Sequence, residues 1–223
     1  MNMERYNFFK TDNVLFDETK EALVGNKGSS LTVNFVYFLS KGCFFTGLAL
    51  LIVLLANLNN RLFNMPLYAI LIAGFLFVAL LTYGPLKVSS CKNALNMIRN
   101  TKPSAKDVWF GFKNKYFRNV AYGFCLFFSY LFHLILLIFP FFLKYFSYQL
   151  SGYVLADDLE IGAIGALKQS KMLMKGHRKF YLKLFFKYSP QMLLCVPTAY
   201  IYSLFLRPKF VTTIGCLYLD VLE

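Results

Sequence analysis

The sequence predicts an all-α, polytopic integral membrane protein, with about six transmembrane helices arranged as three hairpins, each preceded by an interfacial amphipathic helix. Three observations predict this. Apolar runs of about twenty residues recur along the chain, the length a helix needs to cross roughly 30 Å of hydrocarbon. With 57% hydrophobic residues, 19% aromatic residues and a mean hydropathy of +0.50, the chain of 223 residues is too apolar for one ordinary soluble core. The stretches between the runs are basic, as cytoplasmic loops are.

Residues 1–30 read as a cytoplasmic segment whose start shows no basic n-region followed by an apolar run, so no cleavable signal is expected. Within it Leu15, Phe16, Thr19, Ala22 and Leu23 recur at helical spacing, with Asp12 or Asn13 as candidate cap and Gly25 as the stop. Hairpin 1 covers 31–85. Its first span lies within Leu31–Leu58, and either begins after Lys41, which then snorkels to the interface, or begins near Leu31 and buries the lysine. Its second span covers Met65–Tyr83 and ends at Gly84-Pro85.

Residues 86–116 form a basic connector in which Val88, Cys91, Ala94, Leu95 and Ile98 share one helical face. Over 84–118 eight basic residues stand against Asp107 alone, which places this loop on the cytoplasmic side. The run 117–156 would be about 60 Å long as one helix, twice a bilayer. The economical reading is hairpin 2, up over 117–139, turning at Pro140, down over 141–156 with Lys144 near the outer surface. The alternative, one kinked span and then an interfacial helix, would leave the basic 168–187 segment outside. Residues 157–179 follow as an amphipathic interfacial helix, and 180–223 as hairpin 3, with a polar turn at Arg207-Pro208-Lys209 before a short span over 210–221. Both termini are then cytoplasmic. A weak repeat supports the hairpins: Ala22–Lys27 (A-L-V-G-N-K) aligns with Leu173–Arg178 (L-M-K-G-H-R), and F-G-F-K at Phe110–Lys113 echoes them.

The net charge of +13 fits this loop pattern better than nucleic-acid binding, which is not expected. The five cysteines are scattered singly, so neither a disulfide framework nor a zinc site is expected. Lys168, Lys171 and Lys175 form a basic stripe continued by Arg178 and Lys179, a surface for anionic lipid head groups or for a membrane or cytosolic protein partner. Asp157 and Glu160 fit a capping box better than a cation site. Gly176 stops the helix, with His177 beside its free carbonyls. Lys41, His133 and Gln149 are the candidate intramembrane polar site. No phosphate loop, metalloprotease motif or nucleophile elbow is present, and neither an enzyme nor a cofactor is expected.

The second half resembles the bacterial membrane proteins grouped as "domain of unknown function 975", through F-G-F-K-N-K-Y (110–116), L-L-I-F-P-F-F-L-K-Y-F-S-Y (136–148), Y-V-L-A-D-D (153–158), A-L-K-Q-S-K-M-L-M-K-G-H-R-K-F (166–180) and C-L-Y-L-D-V-L (216–222). A-L-V-G-N-K fits the family's usual start. The chain departs from the family's Pro-Gly turn at Pro140-Phe141. The resemblance implies a multi-pass protein of the bacterial plasma membrane with no assigned reaction, cofactor or catalytic residue. Two readings of function follow: a non-enzymatic lipid-interacting or scaffold subunit, or a small transporter or export or immunity component with a polar mid-membrane cavity lined by Lys41, His133 and Gln149.

Overall fold

The computed structural model describes residues 12–56, 65–101, 103–136, 145–193 and 202–222, and every regular element among them is helical. In order these are α1 (Asp12–Leu23), α2 (Lys27–Ala56), α3 (Met65–Ile98), a 3-10 turn (Ala105–Trp109) running into α4 (Phe110–Lys113), α5 (Tyr116–Leu136), α6 (Ser151–Asp157), α7 (Ala163–Leu173), α8 (Arg178–Leu193) and α9 (Ser203–Leu222). One helix among the described residues, over Ile70–Ile98 with a hydropathy of 1.8, is long and apolar enough to cross a membrane. The proposed turn at Pro140 and the position of Lys144 lie outside the described residues.

The chain repeats one local device. A short helix ends, one residue adopts a left-handed backbone, and a long helix begins. Gly25 (φ +82°) leads into α2, Lys115 (φ +48°) into α5 and Gly176 (φ +102°) into α8. Glycine enters this region without a Cβ penalty, which is why two of the three positions carry it. The first and third units match in register as well. Leu15, Thr19 and Leu23 stand at the same distances before Gly25 as Ala166, Ser170 and Met174 before Gly176, and all six are buried. Beyond the glycines, Val33 and Tyr37 match Leu184 and Tyr188, again all buried. Spacing of four residues puts such a set on one helical face.

The three units dock in a ring. The 3-10 turn and α4 pack on α2 and α3, α7 packs on α5 and α6, and α1 packs on α9. Each short element thus covers helical segments that precede it in the chain, and the first covers the last helix. Successive contacts descend from Arg118–Asp158 through Tyr122–Ser151 to Tyr130–Tyr145, so α5 and residues 145–158 run antiparallel. The returning helices α3, α6 and α9 meet at the centre, where Val88, Leu95, Leu155, Ala156, Ile214 and Leu217 form the core.

α3 does not stop at Gly84-Pro85 but runs on to Ile98, so the first part of the expected connector is its continuation. Proline costs the helix one backbone bond, yet the pair serves here as a close-packing point. A Cβ on Gly84 would strike the backbone of Asn119, and one on Gly111 would strike that of Pro85. Ser89 reinforces the crossing, donating to the Val108 carbonyl and accepting from the Gly111 N–H, both at 2.8 Å. Val88, Ala94 and Leu95 therefore face the protein core and not a lipid interface.

Arg207-Pro208-Lys209 likewise is not a turn. α9 begins at Ser203 and passes through Pro208, which is buried. Pro190 also lies within α8. Charge and proline together suggest a solvated loop only while the partner surface is unknown. Here Arg207 lies over the Tyr37 ring of α2 at 3.0 Å.

Candidate functional site: a basic helix face, an ionic clasp and a central cavity

The expected 157–179 helix is shorter than its sequence pattern. α7 starts at Ala163, with Gly162 at the N-cap and no side-chain capping bond. The capping roles given to Asp157 and Glu160 are therefore corrected. Asp157 ends α6 and accepts both guanidinium nitrogens of Arg99, at 2.6 and 3.0 Å. Glu160 lies 3.4 Å from Lys115 in an exposed ion pair. The local turn is made instead by Asp158, whose carboxylate accepts from the N–H groups of Glu160 (2.7 Å) and Ile161 (3.3 Å). Arg99 is remote in sequence, so a reading of local spacing could not supply it.

The Asp157–Arg99 pair is a fork-to-fork arrangement, the strongest ionic geometry available to these side chains. Tyr218 donates to the same carboxylate at 3.4 Å. Arg99 follows α3, Asp157 closes α6 and Tyr218 lies in α9, so one carboxylate ties the ends of all three returning helices. The Arg99 guanidinium beside Asp157 holds its carboxyl below the usual range. Arg118 gathers the following loop, donating to the carbonyls of Leu155, Asp158, Leu159 and Ile161 at 2.7–3.2 Å.

Lys168 and Lys171 on α7 and Lys175 just after it are exposed, and Lys179 at the start of α8 is too. Arg178 departs from this stripe: it is half-buried, and its Nε has no hydrogen-bond partner. The opposite face of α7 does not enter lipid, because α5 and α6 cover it. Ala166, Ser170 and Met174 are buried there, and Ser170 donates to the Ser147 carbonyl at 2.7 Å. The apolar residues exposed on α7 are Ile164 and Met172, on the same side as the lysines. Burial lowers the pKa of His177. Gly25 and Gly176 occupy the left-handed positions described above.

Of the three intramembrane candidates, the side chains of Lys41 and His133 lie outside the described residues. Gln149 lines a cavity of about 330 Å³ at the centre of the ring. All three returning segments contribute: Lys87, Ser90 and Cys91 from α3, Tyr145 and Gln149 ahead of α6, and Arg207 from α9. Asn34 and Tyr37 of α2 and Tyr130 of α5 line it as well, and among the described residues no carboxylate does. The Arg207 Nε is buried without a hydrogen-bond partner, while Lys87 lies 5.6 Å from the Tyr122 ring centre. Lys87 and Arg207 were not singled out from sequence. Their signal was present, since each stands next to or two residues from a helical proline, but charge argued for loops.

Among the described residues no three His, Cys, Asp or Glu side chains converge in a way that could hold a metal ion. Cys91, Cys125 and Cys216 form no disulfide. What the exposed Lys168, Lys171 and Lys175 can do chemically is attract an anionic surface. No family model, curated protein or solved structure matches the chain.

Proposed function

We propose that the chain is a multi-pass plasma-membrane protein of the bacterial group it resembles, crossing the bilayer as three hairpins with both termini cytoplasmic. It acts without catalysis, as a lipid-interacting scaffold or accessory subunit that holds anionic head groups and a protein partner. One observation carries this reading: a broad exposed apolar surface stands apart from an exposed basic one. Ile70, Leu71, Phe75, Phe77 and Val78 are exposed on the first half of α3, and Phe127, Phe128, Leu131 and Phe132 on the second half of α5. These halves lie side by side because the helices run antiparallel, and an apolar patch of this breadth needs lipid or a partner to cover it. The second half of α3 is packed in the core against α6, which in turn packs on α7, where Lys168 and Lys171 are exposed. Each basic residue near an anionic leaflet adds about 1 kcal/mol of attraction.

The test is flotation of the purified full-length chain, and of a Lys168→Glu/Lys171→Glu/Lys175→Glu variant, reconstituted into phosphatidylcholine vesicles with and without phosphatidylglycerol. Selective recruitment of phosphatidylglycerol around the wild-type chain, lost in the variant, is expected. Equal lipid selectivity in both would refute the role of this face. A second reading, a small transporter or an export or immunity component, is favoured by the central cavity and Gln149. It predicts that a cysteine placed at position 149 reacts with a soluble thiol reagent from one side of the membrane.

A further inference from the structure

We propose that the groove lined by α1, α2, α8 and α9 binds one anionic phospholipid, its phosphate held by Lys27, Lys187 and Lys209 and an acyl chain lying along α2. The groove is distinct from the basic face of α7, and the proposal rests on the reading above that the chain sits in a membrane. Its volume of about 1100 Å³ is at the upper end for ligand sites, with room for a head group and part of a chain. The three lysines come from three helices, α2, α8 and α9, and all are exposed. None forms an ion pair with a described residue. Lys187 lies over the Phe16 ring at 3.6 Å, but a ring face orients an ammonium without neutralising its charge. Among the described residues one carboxylate lines the groove, that of Asp17, and Lys20 takes it at 3.2 Å. Three like charges gathered round one groove repel one another, and an anion placed among them reverses that cost.

The apolar surface identifies the anion as a lipid. Phe16, Leu31, Phe205 and Pro208 line the same groove as the lysines. Lys27, Leu31, Phe35 and Leu39 follow one another at four-residue spacing and so share one face of α2. Phe35 and Leu39 are exposed. The stripe thus begins at a lysine of the groove and runs along α2 towards the uncharged apolar residues 47–56. A soluble phosphate or an acidic peptide would use the lysines and leave this stripe in water. A phospholipid uses both, with its phosphate at the groove and a chain over Leu31, Phe35 and Leu39. Ammonium groups suit the first role, because a compact point charge meets a phosphate oxygen without a fixed fork geometry.

The test measures equilibrium binding of radiolabelled dioctanoylphosphatidylglycerol to the full-length chain in a neutral detergent, with dioctanoylphosphatidylcholine, glycerol phosphate and polyglutamate as comparison probes. Saturable binding of the phosphatidylglycerol, tighter than that of any comparison probe, is expected. It should weaken about tenfold or more in Lys27→Gln/Lys209→Gln, and about threefold or more in Phe35→Ser. Lys168→Glu/Lys171→Glu/Lys175→Glu, outside the groove, retains it even if that variant loses selectivity in vesicles. A wild-type chain that floats with vesicles but binds no phosphatidylglycerol in detergent would fail the groove alone and leave the membrane reading standing. Gel filtration and circular dichroism check the fold of each variant, and the comparison of probes needs only the wild-type chain. Absence of saturable phosphatidylglycerol binding overturns the proposal, as does wild-type affinity in a folded Lys27→Gln/Lys209→Gln or equal affinity for phosphatidylcholine. Glycerol phosphate or polyglutamate binding as tightly as the lipid overturns it too, because the stripe on α2 would then play no part.

Discussion

Removing the Asp157 carboxylate tests whether the three returning helices are held as one body. Asp157→Ala deletes two charge-assisted bonds from Arg99, at 2.6 and 3.0 Å, and the weaker one from Tyr218 at 3.4 Å. The Arg99 side chain is 39% exposed and that of Asp157 23%, so solvent screens the pair. Exposed pairs contribute about 0.2–1 kcal/mol, and breaking a fully buried pair costs about 3–5 kcal/mol. The bidentate geometry and intermediate burial place this loss at about 1–2 kcal/mol. For a chain of this size each kcal/mol lowers Tm by about 2–4 °C, measured by circular dichroism in detergent. Arg99→Ala should cost about as much, and the double variant less than the two together, because the residues share one interaction. The sign with pH follows from the depressed carboxyl of Asp157. Its stabilisation is fully present above the ordinary carboxylate range, near pH 4, and is lost as pH falls through the lower folded value. The gap in Tm between wild type and Asp157→Asn should therefore hold at neutral pH and shrink only under strong acid. Additive single variants, or a gap that closes already near neutrality, would refute the clasp.

Three further outcomes follow from backbone and packing. Gly176→Ala and Gly25→Ala place a Cβ on left-handed backbone and should each cost about 1–2 kcal/mol, read as a fall in Tm. Gly84→Ala forces apart the crossing of α3 and α5 at the Asn119 backbone, and should cost more than either, read as loss of monodisperse protein on gel filtration. Arg118→Lys keeps the charge but cannot reach four carbonyls at once, so amide exchange across 158–162 should accelerate with little change in Tm. Unchanged exchange there would show that the loop is held by Asp158 alone.

What the sequence by itself determined was local. Helical character follows from the spacing of apolar residues, as at Leu15, Thr19 and Leu23, and the short helices end where glycine permits a left-handed residue, at Gly25 and Gly176. The alignment of the first and third units was legible for the same reason, since each repeats one face and one stop. Tertiary structure decided every point where a residue's meaning depends on a distant neighbour. Gly84-Pro85 reads as a helix end until the backbones of Asn119 and Gly111 lie against it. Arg207-Pro208-Lys209 reads as a solvated turn until Tyr37 covers the guanidinium. Asp157 reads as a cap until Arg99 arrives from α3. Hydropathy assigns a charge to water because water is its cheapest partner when no other is known. Only the meeting of α3, α6 and α9 supplies the other partners, and with them a cavity that gathers Lys87, Gln149 and Arg207 from three separate segments.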